Sequence, residues 1–281
     1  VDALEYAWKE QSVWSQTAGR LKHDVERNRA WVLRLGVAGA VLSGAAIAWG
    51  IERDLAKVLA ALSALAVGIA GLIRQSGQGG VQAWTNARAL SEALKSEVYL
   101  HLARVSDGAR FEEQLEAIDS DASGLLEHRA GIEPEERSLP EVDGIDSYVE
   151  KRVDGQIGYY EQSADVLRRR VTWVRRAEGT LAVAAVVLAA LGGIVAEDAL
   201  AVWVPVVTTV AATVTAHAAA ERYEYLLVEY LRTAHALRRL RERQGTARSL
   251  SDEELIRRAE GILSAQNAAW LVKLASGDDA P

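Results

Sequence analysis

Two apolar runs on either side of a short charged break restrict this chain more than any other feature. Trp31 to Gly50 and Leu55 to Ile73 flank the break Ile51-Glu52-Arg53-Asp54. A hydrocarbon core about 30 Å thick takes roughly 20 apolar residues of helix, and each run is close to that length. A helix buried in a soluble protein keeps a polar stripe. Here Leu35 to Ala48 and Val58 to Leu72 are apolar or small on every face apart from Ser43 and Ser63. The pattern predicts a helical hairpin across a membrane, with spans at about 31–50 and 55–73.

The same plan recurs later. A helical pattern from Ile145 to Arg176 leads into an apolar run at about 178–196, an acidic turn at Glu197 and Asp198, and a return run at about 199–220. With an offset of 146, Trp14, Gln16, Ala18, Leu21, Lys22 and Arg29 fall on Tyr160, Gln162, Ala164, Leu167, Arg168 and Arg175, and Glu52 falls on Asp198. An internal repeat of this kind predicts an all-α membrane protein of two tandem transmembrane helical hairpins, four spans in all, with long cytoplasmic helical extensions. The expected domains are residues 1–106, a first hairpin repeat; 107–144, an acidic connector; 145–248, a second hairpin repeat; and 249–281, a C-terminal amphipathic helix.

Charge sets the orientation. Residues 106–150 carry fourteen acidic and three basic side chains, more than the whole net charge of −7, so the rest of the chain is mildly basic. That suits an anionic membrane face and argues against a nucleic-acid partner. Arg20, Lys22, Arg27, Arg29 and Arg34 precede the first span, Arg74 follows the second, and Arg168, Arg169, Arg170, Arg175 and Arg176 precede the third. The excess of arginine on the terminal side places both ends in the cytoplasm and the two turns outside. Trp31, Trp49, Trp173 and Trp203 sit near span ends, where amphipathic rings favour the headgroup level. No signal-peptide pattern precedes the first run, so it is expected to stay in the protein.

Small residues recur every fourth position in the spans: Gly36, Ala40 and Gly44; Ala60, Ala64 and Gly68; Ala185, Ala189 and Gly193. Such rows let helices approach closely where lipid gives no hydrophobic drive to associate. In the last run Thr209, Thr213, His217 and Glu221 share one helix face, and polar groups in hydrocarbon face protein or water. Two readings stay open. Thr209, Thr213 and His217 line a conducting path, or the threonines bond their own helix's carbonyls while His217 and Glu221 lie at headgroup level.

Gln75 to Gly80 (QSGQGG) interrupts the helical pattern, and Gly77, Gly79 and Gly80 mark a hinge or cap. A phosphate-cradling loop needs a preceding strand and a following Lys-Ser or Lys-Thr, and has neither. Ser251 to Glu254 reads as a capping box that opens a last amphipathic helix. That helix groups Leu255, Ala259, Ile262, Leu263, Trp270 and Leu274 on one face, with Glu253, Arg257, Arg258 and Glu260 on the other. So mixed a polar face predicts docking on other helices of its own or a neighbouring chain rather than on a membrane surface.

No reaction chemistry is legible. The chain has no Cys, which removes thiolate nucleophiles, disulfides and cysteine metal sites. Glu97 and His101 are four apart on a helix, but one His and one Glu read as a solvated pair rather than a metal site. No cofactor, catalytic residue or metal ligand is expected, and an enzyme is not.

The segment Trp84-Thr85-Asn86-Ala87-Arg88-Ala89-Leu90-Ser91-Glu92-Ala93-Leu94-Lys95-Ser96-Glu97, just after a two-span hairpin, resembles a helix of the bacterial SLATT superfamily, the SMODS- and SLOG-associating two-transmembrane effector domains. The aromatic, Gln and basic patterns entering the hairpins, Trp14 to Lys22 and Tyr159-Tyr160-Glu161-Gln162 to Arg170, are similar too. The second copy departs at Arg239, near where Glu92 would map. The resemblance implies a membrane effector, pore-forming or membrane-perturbing as a homo-oligomer, in anti-phage systems that include nucleotide-signal synthases or sensors. The implied partners are the lipid bilayer, further copies of the chain and a cytoplasmic sensor or nucleotide-signalling protein. An oligomeric membrane scaffold without conducting activity is the alternative.

Overall fold

A computed structural model describes residues 2–48, 52–195, 200, 202–244 and 250–275, and not the side chains of 48, 78, 194, 195 or 269–275. Among the described residues all regular structure is helical. The long helices are α1 (Ala3–Ala48), α2 (Arg53–Ser76) and α3 (Gln78–Leu102). A shorter α4 (Gly108–Asp121), a 3₁₀ turn (Ala122–Leu125) and α5 (Leu126–Arg129) precede an extended stretch. Then come α6 (Ile145–Tyr148), a π-helical segment (Val149–Asp154) and α7 (Gly155–Val195). The chain continues through α8 (Trp203–Glu221), α9 (Tyr223–Gln244) and α10 (Asp252–Ala275).

Among the described residues, three stretches are long and apolar enough to cross a membrane: Ala3–Ile47, Arg53–Leu102 and Trp203–Gln244. Their apolar parts are the first, second and fourth of the expected spans. The run expected at 178–196 lies in α7 as far as Val195, and the turn residues Glu197 and Asp198 lie outside the described residues.

The chain forms two compact units, and both halves of the sequence contribute to each. One consists of Val1–Asp24, Gly79–Ala164 and Leu227–Pro281, the other of Val25–Gln78 and Asp165–Leu226. The compact units therefore cut across the repeat boundaries, because α1 and α7 each supply their first part to one unit and their apolar part to the other.

The first, charged unit has an ordinary apolar interior. Trp14, Leu94, Val98 and Leu237 are fully or almost fully shielded, at helical spacing on α1, α3 and α9. The acidic connector opens with α4, capped by Asp107, whose carboxylate accepts the Arg110 N–H at 2.9 Å. Beyond α5 the connector is extended, and it lies along α1. Trp8 Nε1 donates to Ser138 O (2.9 Å), Gln16 Nε2 to Glu133 O (2.9 Å), and the Glu135 N–H to Ser12 Oγ (3.0 Å). Arg137 stacks 3.8 Å from the Trp8 ring centroid and donates to Trp8 O at 2.8 Å, while Arg129 pairs with Glu10 at 2.8 Å. An extended segment cannot satisfy its own backbone, so these α1 side chains supply partners that helix formation would otherwise provide.

The C-terminal helix docks within its own chain. Ser251 Oγ accepts the Glu254 N–H at 3.2 Å, as the capping signal predicts, and Leu255, Ala259 and Leu263 are buried. The buried face is displaced from the expected one. Ile256, Glu260 and Gln266 are also buried, whereas Ile262 is only half-buried; the side chains of Trp270 and Leu274 lie outside the described residues. Glu260, assigned from sequence to the polar face, is 5% exposed because its partners sit in the interior it faces.

The second, apolar unit is built the other way round. Leu55, Val58, Leu62, Leu65, Ile69 and Leu72 of α2 and Val183, Val186, Val187 and Leu191 of α7 are exposed, while small residues such as Ala40, Ala66 and Ala70 are buried. Large side chains outward and small ones at helix contacts are what a lipid solvent selects.

Candidate functional site

Within the apolar unit the glycines of α1 let neighbours approach closely. A Cβ on Gly36 would lie 2.9 Å from Thr213 Cγ2, one on Gly39 would lie 2.9 Å from Val67 Cγ2, and one on Gly44 would overlap Val206 Cγ2. Ser63 Oγ donates to Gly39 O at 2.8 Å, tying α2 to α1. Gly36, Ala40 and Gly44 thus act as packing residues inside the chain. Ala60, Ala64, Gly68, Ala189 and Gly193 are exposed, and Ala185 is half-buried; a Cβ on Gly68 or Gly193 would meet nothing within 4 Å. Among the described residues, the α2 and α7 rows, Ala185 apart, are exposed rather than packed against another helix.

The polar stripe of α8 divides along its length. Thr209 Oγ1 donates to Pro205 O (2.7 Å) and Thr213 Oγ1 to Thr209 O (2.8 Å), so both hydroxyl protons are taken by the helix's own carbonyls. Thr213 faces Gly36 of α1, His217 hydrogen-bonds the Arg29 backbone, and Glu221 pairs with Arg29 at 3.5 Å. Only Thr209 of the four is exposed. Thr215, outside the stripe, donates to Glu178 of α7 at 2.6 Å.

The interruption expected over Gln75 to Gly80 narrows to Gly77. This residue keeps a right-handed conformation (φ −86°, ψ −6°) and donates its N–H to Ile73 O at 3.1 Å, while Gly79 and Gly80 lie in the first turn of α3. Its counterpart in the second half is Arg222, between α8 and α9, held at φ 52° with its N–H on Ala218 O at 3.0 Å. A left-handed non-glycine residue costs of order 1 kcal/mol or more, so the helix ends there by tertiary demand rather than by local preference.

The charged unit holds a buried ionic cluster that sequence reasoning missed. Arg152, on the π-helical segment and 1% exposed, grips Glu260 of α10 in a two-pronged bond, Nε to Oε1 at 2.8 Å and Nη2 to Oε2 at 2.8 Å. The Tyr148 hydroxyl donates to the same Oε1 at 2.8 Å, and Arg152 lies 5.0 Å from the Tyr99 ring centroid. Burial opposes the charge on Arg152, but the Glu260 carboxylate more than offsets it and raises its pKa. Burial, then Arg152's charge, pushes the neighbouring Lys95 down, and burial followed by Glu260's charge pushes Tyr148 up. Next to this lies a tyrosine group. Tyr160 stacks edge-on with Tyr159 and Tyr230 at 5.3 and 5.4 Å, and donates to Gln266 of α10 at 3.2 Å. Burial pushes Tyr230 up to about 12, against the pull of the Arg88 charge.

A buried pair separated by more than a hundred residues leaves no local trace, and in the sequence Glu260 is one more acid on a mixed polar helix face. Glu97 and His101 gain no further ligand: among the described residues no group of three or more His, Cys, Asp or Glu could hold a metal ion.

Residues 148–270, which contain every member of the Arg152, Tyr148 and Glu260 cluster, match the family model described as SMODS and SLOG-associating 2TM effector domain 1. The match supports a SLATT domain over this segment. Residues 12–112 match a second family model, described as a protein of unknown function, DUF4231. No curated protein and no solved structure matches the chain. The SLATT match and the three long apolar helices together make this a membrane protein with an effector domain. The SLATT segment covers the second apolar helix pair and most of α10, so the docked C-terminal helix is part of the matched domain.

Proposed function

We propose that the chain is a multi-pass effector of the bacterial inner membrane that forms pores or perturbs the bilayer as a homo-oligomer in an anti-phage conflict system. The observation that carries this reading is the SLATT effector match on a helical chain whose apolar unit turns its large side chains outward. The two family matches, one in each half, support two tandem SLATT-like hairpins with four spans. The arginine bias supports cytoplasmic termini. The exposed rows Ala60, Ala64, Gly68 and Ala189, Gly193 support contacts between copies, since small residues on a lipid-exposed face pack well only against another helix. Any conducting path then lies between chains, and Thr209 is the member of the α8 stripe placed to reach it.

Induced expression in cells carrying a potential-sensitive dye tests this. Depolarisation is expected, and Thr209→Leu should reduce it while leaving insertion and assembly size unchanged. Thr213→Leu is a poorer probe because the Thr213 methyl already fills the space above Gly36. Unchanged membrane potential with a correctly inserted oligomer would favour a passive scaffold. Reporter fusions at both termini check the topology, which an external C-terminus would overturn.

A further inference from the structure

A six-residue π-helical segment interrupts what is otherwise one helix from Ile145 to Val195. Such a turn holds one residue more than an α-helix needs, and it persists only where something outside the helix holds it. Here the reason lies on one face. Tyr148 before the segment and Tyr160 after it both donate to α10, to Glu260 at 2.8 Å and to Gln266 at 3.2 Å. The two tyrosines are twelve residues apart, and twelve α steps would set them roughly 120° apart around the axis. Absorbing one residue in the π-turn leaves eleven steps, which returns the two side chains to within roughly 20° of each other.

The bonds that hold the extra residue come chiefly from α10. Arg152, inside the segment and 1% exposed, closes on both Glu260 oxygens. The segment's other ion pairs, Lys151 with Glu141 at 3.1 Å and Asp154 with Arg241 at 2.7 Å, lie at the surface, where solvent weakens them. Just upstream the end of the connector is fastened to the same helix. The Asp143 and Gly144 N–H groups donate to Ser147 Oγ at 3.0 and 3.2 Å.

We propose that the π-helical segment is a two-state latch that reads whether α10 is docked. With α10 in place the extra residue is kept, and Tyr148 and Arg152 both meet Glu260. When α10 leaves, the segment relaxes to α-helix and Ile145–Tyr148 turn by roughly 100° about the axis of α7, which carries Tyr148 off the α10 face. The turning end takes the last residues of the connector with it, so the state of α10 reaches the extended segment that lies along α1. A helix gives up an inserted residue whole, so the change is between two registers and not a graded bend. All of these residues belong to the charged unit, and the latch stands independently of the membrane reading.

The chain has no cysteine, so Asp146→Cys/Gln162→Cys in the full chain carries two nitroxide labels, at exposed positions on either side of the segment. With the π-turn the labels lie roughly 60° apart around the axis and without it roughly 160°, so its loss lengthens their separation by about 3–5 Å. Double electron–electron resonance should give the shorter distance in the otherwise unaltered chain. Glu260→Ala, or Leu255→Asp/Leu263→Asp, which puts charge into the buried face of α10, should bring in the longer one as a second discrete distance. Deleting Glu150, exposed on the segment, leaves Tyr148 and Tyr160 on one face of an unbroken α-helix, and either α10 variant should then keep the shorter distance. The shorter distance alone in both α10 variants would overturn the proposal. So would a broad smear in place of a second distance, which is fraying, or a lengthening that persists in the Glu150 deletion, which is unfolding.

Discussion

Removing the carboxylate of Glu260 should release the last helix from the charged unit. Glu260 accepts three bonds of 2.8 Å, two from Arg152 and one from Tyr148. In Glu260→Ala the guanidinium, 1% exposed and with Nη1 already lacking a hydrogen-bond partner, is left with no acceptor there. Breaking a buried pair from one side costs about 3–5 kcal/mol, and the orphaned tyrosine hydroxyl adds about 1 kcal/mol. A central value of about 5 kcal/mol corresponds to a several-thousandfold increase in the opening of α10, at about 1.4 kcal/mol per tenfold. Hydrogen exchange across residues 252–268 reads that opening directly. Arg152→Met combined with Glu260→Leu removes both charges and should restore most of the protection, because the cost lies in a lone buried charge rather than in the absence of the pair. Acceleration below about tenfold in Glu260→Ala, or a double variant that opens more than the single one, would refute the account.

Three further outcomes follow from the packing. Gly44→Ala should destabilise the apolar unit by about 1–3 kcal/mol through overlap with Val206, whereas Gly68→Ala, with open space around it, should leave the single chain unharmed; assembly size in detergent reports whether Gly68 meets another copy. Burial raises the pKa of Glu97, with Arg110 and Arg257 pulling the other way, so the folded carboxyl titrates above its unfolded value near 4.5. Its contribution is then fully present below that value and is lost as pH rises through the folded pKa. Glu97→Gln should therefore raise the melting temperature at neutral pH and lose its advantage below about pH 4.5. Arg137→Ala removes the guanidinium that covers Trp8 and bonds its carbonyl, and should cost about 1–2 kcal/mol and speed proteolysis of the extended connector.

Much of the fold was legible because it follows from solvent and period alone. A run of apolar residues long enough for a bilayer, an arginine excess on one side and a helical repeat of core positions are local properties, and α1, α2, α8 and α10 lie where those properties place them. The membrane character follows from them too, whereas the SLATT resemblance rests on particular segments such as Trp84 to Glu97. What the sequence could not supply is pairing. The connector reads as acidic linker, yet it lies on α1 because Trp8, Ser12 and Gln16 meet its backbone and its own Arg137 bonds the Trp8 carbonyl. The α8 stripe reads as one polar face, yet a glycine at position 36 admits Thr213 to a helix contact and leaves Thr209 outside it. Glu260 reads as a surface acid until the π-helical segment brings Arg152 to it from 108 positions away. Burying a charge costs far more than local propensity can offset unless a partner is already in place. Which acid goes inside is therefore decided by the assembled tertiary structure and not by the residues on either side of it.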